Sequence, residues 1–247
     1  MNYWVQGRVV AKKNWTDKLY SLRVDAPVEP FRAGQFTQLA LDIEGERVGR
    51  PYSFVNGPDE RPLEFHFITI PHGPLTERLQ ALQTGDQVWI AARPAGYFTL
   101  TEVPDAPHLW LLATGTALGV FLSLLKTEEL WRRFTRVVLA HGVRTLAELT
   151  YPDQIGTFRD RHPGRFVYIP FVTREDADFA IRARIPQAIA DGRLEARAGI
   201  PLRAEDSQVM ICGNPDMVRD TIRILEQRGL RRNRRSQPGH ITTEHYW

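Results

Sequence analysis

Four consecutive residues, Arg50, Pro51, Tyr52 and Ser53, place a cation close to an aromatic ring. Because side chains alternate along a strand, Arg50 and Tyr52 would project from the same face about 7 Å apart. This pair suits an anionic cofactor with a flat ring, since a guanidinium can give a phosphate two hydrogen bonds. Ser53 would offer a donor at the ring edge. An ordinary strand with a surface arginine and a core tyrosine explains the same residues.

A second candidate site lies where a predicted strand turns into a short helix. The strand spans 63–70, and His72-Gly73-Pro74-Leu75-Thr76 leads into a helix predicted over 76–82. Such a turn presents backbone N–H groups and the positive end of the helix dipole to an anion. A plain helix start, with Thr76 as its N-cap, is the alternative interpretation.

The segment Ala113-Thr114-Gly115-Thr116-Ala117-Leu118-Gly119 joins a predicted buried strand to a helix. A dinucleotide phosphate loop occupies this place, at the carboxyl end of the first strand of an open sheet. The segment is not a G-x-G-x-x-G fingerprint, because Ala117 stands where the second glycine would be. The strand–loop–helix context therefore indicates nucleotide binding more strongly than the glycines do.

Three arginines, Arg144, Arg174 and Arg184, follow predicted parallel strands or the loops after them. Converging over the carboxyl edge of the sheet, they would suit a 2′-phosphate and favour NADP over NAD. No acidic residue ends the second strand to bind a ribose diol, which agrees with this preference. Solvated surface charge is the alternative for any one of them.

The remaining candidate segments lie near the C-terminus. Cys212-Gly213-Asn214-Pro215-Asp216-Met217 joins another predicted buried strand to a helix. A lone cysteine is most often a small core residue, and it excludes a disulfide framework or a thiolate metal cluster. Glu244-His245-Tyr246-Trp247 places two aromatic rings at the last positions, which is reasonable if they dock on something flat.

The elements that must position these residues change in character near residue 100. Before that point, six short alternating segments are broken by frequent turn signals, and one short helix interrupts them. The predicted strands span 3–10, 19–24, 36–41, 52–55, 63–70 and 87–91. This pattern predicts a closed or nearly closed antiparallel barrel.

After Pro104-Asp105-Ala106-Pro107 the pattern becomes strand, loop and helix. Strands are predicted over 109–113, 136–140, 166–172 and 208–212, and helices over 117–126 and 216–228. Alternating strands and helices indicate a mostly parallel sheet covered on both faces. The predicted domains are therefore residues 1–100 and 101–247.

The composition excludes several classes of protein. Hydrophobic residues make up 43% and aromatic residues 10% of the 247, too many for a mainly disordered chain. The apolar runs fall far short of the roughly 18 residues of a membrane span, and no signal peptide is visible, so we expect a cytoplasmic protein. A pI near 9.2 allows acidic partners. The net charge is only +3 and the sequence has no RNA- or zinc-binding motif, which argues against nucleic acid as a partner.

Taken together, the motifs resemble the ferredoxin/flavodoxin–NADP reductase family, in its short bacterial branch. The resemblance rests on Arg50-x-Tyr52-Ser53, Gly115-Thr116-x-x-Gly119, Cys212-Gly213-Asn214-Pro215-x-Met217 and the closing Glu244-His245-Tyr246-Trp247. It implies an antiparallel Greek-key β-barrel that binds FAD, followed by an α/β Rossmann-like parallel sheet that binds NADP(H). Ala117, Val120 and Ala183 depart from the pattern, since many relatives have Gly, Pro and Gly there.

The resemblance also implies roles for individual residues and no metal. The implied FAD ligands are Arg50, Pro51, Tyr52, Ser53, Phe67, Ile68, Thr69, Pro74, Leu75, Thr76, Thr116, Tyr246 and Trp247. The implied NADP ligands are Val143, Arg144, Thr173, Arg174, Arg184, Asn214 and Asp216. The implied catalytic residues are Ser53, Cys212 and Glu244.

The implied reaction is hydride transfer between NADPH and FAD, followed by one-electron exchange with ferredoxin or flavodoxin. An arginine run comprising Arg228, Arg231, Arg232, Arg234 and Arg235 would steer such an acidic carrier, unless it is merely a solvated helix end. A stand-alone flavin reductase or an oxygenase reductase component of the same fold is the alternative function. We expect a monomer.

Overall fold

The computed structural model of the protein describes residues 3–245. These residues form two compact units. The first contains the described residues up to Thr99 together with Gly119–Thr127, and the second contains Leu100–Leu118 and the described residues from Glu128 onward. Tyr246 and Trp247, which the resemblance assigns to FAD, lie outside the described residues.

The first unit is built on a six-stranded sheet whose pairings are all antiparallel. Its strands are β1 (Trp4–Asn14), β2 (Leu19–Asp25), β3 (Phe36–Ile43), β4 (Glu46–Ser53), β5 (Leu63–Ile68) and β6 (Gln87–Ala91), in the order β4-β3-β6-β1-β2-β5. Helix α1 (Thr76–Ala81) lies between β5 and β6 in the chain. An isolated bridge from Phe54 to Phe65 joins the two edges, so the curled sheet confirms the predicted nearly closed barrel.

One strand prediction in this unit is wrong. The strand predicted over 52–55 is β4, which begins six residues earlier, at Glu46, and ends at Ser53. Gly49 and Pro51 are typical strand breakers, which hid its first part. Because β4 is an edge strand, the missing N–H of Pro51 leaves no partner strand unsatisfied.

The second unit contains a five-stranded sheet whose pairings are all parallel, as predicted. Its strands are β7 (His108–Thr114), β8 (Arg136–Val143), β9 (Phe166–Val172), β10 (Ser207–Gly213) and β11 (Ile241–His245), in the order β11-β10-β7-β8-β9. The helices after β6 are α2 (Leu118–Leu125), α3 (Glu128–Arg133), α4 (Pro152–Arg161), α5 (Ile185–Ala190), α6 (Arg193–Ala198) and α7 (Pro215–Gln227). From Gly119 onward α2 belongs to the first unit. The sequence patterns had not predicted β11 or α3 to α6.

The strand order of the second unit reverses at β7. The chain proceeds from β7 through β8 to β9 on one side and continues at β10 on the other side of β7. All seven residues of β10 are buried, as expected for a parallel strand covered on both faces. Ligands of open α/β sheets bind at the carboxyl ends of strands where the order reverses. The turns after Thr114 and Gly213 lie at this place.

Candidate functional site

In the first unit, Arg50 and Tyr52 lie on one face of β4, as their spacing predicts. The ring of Tyr52 meets that of Phe67 edge-on, with centroids 6.2 Å apart and an interplanar angle of 77°. Burial raises the pKa of Tyr52 to about 12, although the nearby charge of Arg50 opposes this shift. The exposed guanidinium of Arg50 donates to the Gly49 carbonyl at 2.7 Å. Tyr52 and Arg50 therefore present a neutral ring beside an accessible cation.

The predicted FAD ligands at the end of β5 and just after it differ in burial. Phe67 is buried and stacks on Tyr20 with centroids 5.8 Å apart, whereas Ile68 and Thr69 are half-buried. The hydroxyl oxygen of Thr69 is buried and has no hydrogen-bond partner among the described residues. A buried polar atom without a partner costs free energy, so Thr69 marks a place where a bound polar group would be stabilised.

The turn that precedes α1 is closed by Thr76. Its hydroxyl accepts a hydrogen bond from the Ile70 N–H at 3.0 Å, and the residue before the first helical residue is Leu75, which makes no side-chain cap. The interpretation of Thr76 as an N-cap is therefore wrong. The side chain of Leu75 is buried and that of Pro74 is exposed. The first N–H groups of a helix have no intrahelical acceptor. In α1 the N–H of Glu77 donates instead to the Gly73 carbonyl at 3.3 Å.

In the second unit, the two predicted turns at the switch point contact each other. The Thr114 hydroxyl accepts a hydrogen bond from the Asn214 N–H at 2.8 Å. Gly213 has φ of +135°, and a Cβ there would lie 2.1 Å from that hydroxyl, so only glycine allows this contact. Gly115 has φ of +56°, and a Cβ there would meet nothing within 4 Å. Its backbone is thus open to a ligand, and the half-buried Thr116 follows it in a short 3-10 turn.

Asn214 and Asp216, both predicted NADP ligands, lie at the start of α7. The side-chain oxygen of Asn214 caps this helix, since it accepts from the N–H groups of Asp216 at 2.9 Å and Met217 at 3.2 Å. Asp216 is exposed and forms an ion pair with Arg219 at 2.9 Å. The structure therefore gives Asn214 a local role that fixes the turn.

Sequence reasoning missed His141, which supports the Gly115 turn from beneath. His141 is fully buried in β8, with Nε2 3.1 Å from the Gly115 carbonyl oxygen and Nδ1 3.3 Å from the Tyr168 hydroxyl. Burial lowers the pKa of His141 to about 4 and raises that of Tyr168 above its usual range. The neutral ring must then donate from Nε2 and accept at Nδ1. A single histidine in a buried strand gives no sequence signal for such a contact.

The predicted catalytic pair of this unit lies on adjacent strands. Cys212 of β10 is fully buried and pairs in register with Glu244 of β11, which places both side chains on one face of the sheet. Glu244 is half-buried, and its Oε2 atom has no hydrogen-bond partner among the described residues. Burial raises the pKa of Glu244 to about 7. The third predicted residue, Ser53, is half-buried at the end of β4 in the first unit.

The raised pKa of Glu244 predicts a pH-dependent stability. Between the ordinary carboxyl pKa of 4.5 and the folded value of about 7, the folded chain binds more protons than the unfolded chain. The free energy of unfolding therefore falls as the pH rises through this window. We expect Glu244→Gln to be more stable than the parent at pH 8, by up to about 3 kcal/mol, and nearly equal at pH 4.

Denaturant unfolding of both proteins from pH 4 to pH 8 measures this difference. The matched control is Glu226→Gln, because Glu226 is exposed and pairs with Arg232 at 3.1 Å. A stability difference for Glu244→Gln that stays constant across the pH range would contradict the burial of this carboxyl.

The ends of β8 and β9 bring two of the predicted phosphate ligands together. The N–H of Arg174 donates to the Arg144 carbonyl at 2.9 Å, and the N–H of Thr173 donates to the Val143 carbonyl at 3.1 Å. Arg184 lies immediately before α5, and its neighbour Ile185 approaches Gly142 near the end of β8. Among the described residues, no carboxylate forms an ion pair with the three exposed guanidinium groups of Arg144, Arg174 and Arg184.

The arginine run between Arg228 and Arg235 differs from these three arginines, because most of its members form ion pairs. Arg228 binds Glu195 at 2.7 Å, Arg232 binds Glu226 at 3.1 Å, and Arg235 binds both carboxylate oxygens of Glu102 at 2.9 and 3.0 Å. Within the run, as far as the structure describes it, only Arg231 and Arg234 are exposed without an ion pair. Steering of an acidic carrier by this run stays a prediction, and Arg231 and Arg234 are the members whose charge no ion pair offsets.

Two further properties bear on the class of protein. In residues 3–245, no three His, Cys, Asp or Glu side chains are grouped so that they could hold a metal ion. Across the same residues, no helix is both long and apolar enough to cross a membrane.

Comparison with known proteins finds two family matches along the chain. Residues 8–100 match the oxidoreductase FAD-binding domain family, and residues 111–223 match the oxidoreductase NAD-binding domain family. The chain is 48% identical to the flavodoxin/ferredoxin–NADP reductase of Escherichia coli over 99% of both chains. It is 35% identical to the ferredoxin–NADP reductase of Pseudomonas aeruginosa, covering 96% of this chain and 95% of that one. A crystal structure of a ferredoxin NADP+ reductase from Neisseria gonorrhoeae with bound FAD and NADP is similar at a TM-score of 0.94, with 29% identity over 99% of both chains.

Proposed function

The chain belongs to the family of flavodoxin/ferredoxin–NADP reductases, and we propose that the residues described above carry out the reaction of that family. It is an FAD-dependent oxidoreductase that transfers electrons between NADPH and ferredoxin or flavodoxin. The observation that carries the proposal is the switch point of the parallel sheet, where the open Gly115 turn and the unpaired Arg144 and Arg174 follow neighbouring strands.

The residues of the first unit fit FAD. Its ring system needs an aromatic neighbour, and its pyrophosphate needs cations and N–H donors. We assign the stacking to Tyr52, the pyrophosphate to Arg50, and further phosphate donors to the backbone of Leu75 and Thr76. The buried Thr69 hydroxyl, which has no partner among the described residues, is explained if a polar group of FAD binds there. The chemistry that FAD supplies when bound is the exchange of electron pairs for single electrons.

The residues of the second unit fit NADP(H). The Gly115 turn leaves its backbone open, so a dinucleotide phosphate can approach it closely. Arg144, Arg174 and Arg184 supply guanidinium groups for the 2′-phosphate, and Val143 and Thr173 hold two of them at adjacent strand ends. The division that we propose is an FAD-binding domain of residues 1–100 and an NADP-binding domain of residues 101–247.

Three side chains, each within its own unit, have proposed roles in the reaction. We assign Ser53 to the edge of the flavin and Cys212 to the nicotinamide, which the small buried thiol would line without covalent chemistry. Glu244 would hold a proton at its carboxyl near neutral pH, because burial raises its pKa to about 7. We also propose that the protein works as a monomer in the cytoplasm, a reducing compartment that suits its single thiol.

Substitution of Arg231 and Arg234 tests the proposed docking of an acidic carrier. We expect Arg231→Ala combined with Arg234→Ala to slow the reduction of flavodoxin about tenfold at low ionic strength, because steering by charge is lost. The rate with a small neutral acceptor should not change. The measurement is the NADPH-driven rate with each acceptor as the salt concentration is raised.

The matched control removes two charges from α7, through Arg219→Ala and Arg223→Ala, whose side chains already pair with Asp216 and Asp220. Equal slowing by both double variants would contradict docking at Arg231 and Arg234. Reduction of FAD by NADPH without reduction of either carrier would favour a flavin reductase or an oxygenase reductase component.

A further inference from the structure

We propose that Glu148 and Glu175 are positioning residues that set the preference for a 2′-phosphorylated dinucleotide by holding Arg144 and Arg174 in place. The inference rests on the proposed function, which assigns these two arginines to the 2′-phosphate. Neither glutamate is one of the proposed ligands.

The two glutamates tie together the segments that carry the arginines. Glu148 accepts a hydrogen bond from the N–H of Arg144 at 2.8 Å, within the turn after β8. Glu175, which follows Arg174 in the chain, reaches across and accepts from the N–H of Leu146 in that same turn. With the bond from the Arg174 N–H to the Arg144 carbonyl at 2.9 Å, these contacts cross-link the ends of β8 and β9.

The backbone of Arg144 is therefore held on both sides. Its N–H is bound by a carboxylate and its carbonyl by the neighbouring strand end. Its side chain remains exposed, as does that of Arg174. Pre-organising a binding group in this way lowers the ordering cost at the moment of binding.

Carboxylates beside an anion site have two opposing effects. Their charge repels a phosphate, and salt screens this repulsion strongly only beyond about 8–10 Å. Their oxygen atoms accept backbone N–H groups, and a hydrogen bond to a charged group is stronger than one between neutral groups. Among the described residues, neither carboxylate forms an ion pair with Arg144 or Arg174, so the guanidinium charges are not neutralised. We infer that positioning outweighs repulsion.

Alanine and glutamine variants separate the two effects, because alanine removes charge and acceptor whereas glutamine keeps an acceptor oxygen. Steady-state kinetics with a small acceptor, ferricyanide, would be measured with NADPH and with NADH. For Glu148→Ala and Glu175→Ala we expect the KM for NADPH to rise about five- to tenfold, with kcat and the NADH parameters unchanged. Glu148→Gln and Glu175→Gln should stay within about twofold of the parent.

Control variants distinguish a failure of this inference from a failure of the assigned phosphate site. Asp160→Ala removes an exposed negative charge on α4 and should leave both KM values unchanged. The inference is overturned if the alanine variants lower the KM for NADPH or leave it unchanged, if they raise the KM for NADH equally, or if glutamine is as harmful as alanine. Arg144→Ala and Arg174→Ala, measured in parallel, must raise the KM for NADPH. If they do not, the assigned phosphate site fails as well.

Discussion

The double variant Arg50→Ala, Tyr52→Ser is expected to fold and to lose FAD during purification. A charge-assisted contact to a phosphate contributes about 2 kcal/mol, and a stacked ring contributes a further 1–3 kcal/mol. Since each 1.4 kcal/mol is a factor of ten, the dissociation constant for FAD should rise about 1,000-fold. Visible absorbance after dialysis and titration with FAD measure this change.

The fold should survive because neither side chain belongs to the fully buried core. Arg50 is exposed, and Tyr52 is half-buried at the margin of the barrel core. The matched control is Arg47→Ala in the same strand, where the guanidinium pairs with Asp42 at 2.9 Å and lies over the ring of Trp89. This control should keep its FAD. A double variant that retains FAD as firmly as the parent would contradict the assignment of Arg50 and Tyr52.

The second large effect concerns the choice of dinucleotide. Arg144→Ala combined with Arg174→Ala is expected to raise the KM for NADPH at least 100-fold and to leave the KM for NADH nearly unchanged. Each guanidinium that binds a phosphate contributes about 2 kcal/mol, or roughly 30-fold, and NADH has no 2′-phosphate to lose. Steady-state kinetics with both dinucleotides and ferricyanide give the ratio.

A variant that loses two positive charges elsewhere in the second unit serves as the control. Arg159 and Arg161 lie exposed on α4, so Arg159→Ala with Arg161→Ala should leave the preference for NADPH intact. If the KM for NADH rose in parallel with that for NADPH, the two strand-end arginines would have a general structural role and not a selective one.

Part of the geometry of the candidate site was predictable because its residues follow local patterns. The alternation of Arg50 and Tyr52 along a strand placed them on one face, and the buried run before Gly115 marked a parallel strand with a loop at its carboxyl end. The contact between the turns at Gly115 and Gly213 depends on β10 lying beside β7, which the order of elements in the chain does not reveal.

Other features depend on partners that are distant in the sequence. The arginine run looked like a surface patch, but Arg228 and Arg235 pair with Glu195 and Glu102, far away in the chain. Likewise, the importance of His141 arises from burial beneath Gly115 and not from any spacing of residues. The helices α3, α5 and α6 have only six residues each, too few for a clear helical period.

Electron transfer from NADPH through FAD to flavodoxin is tested by an anaerobic titration of the purified protein with NADPH, followed by oxidised flavodoxin, while the visible spectrum is recorded. We expect flavin bands that bleach as NADPH is added and return as flavodoxin becomes reduced. A colourless protein, or flavin bands that NADPH leaves unchanged, would contradict it.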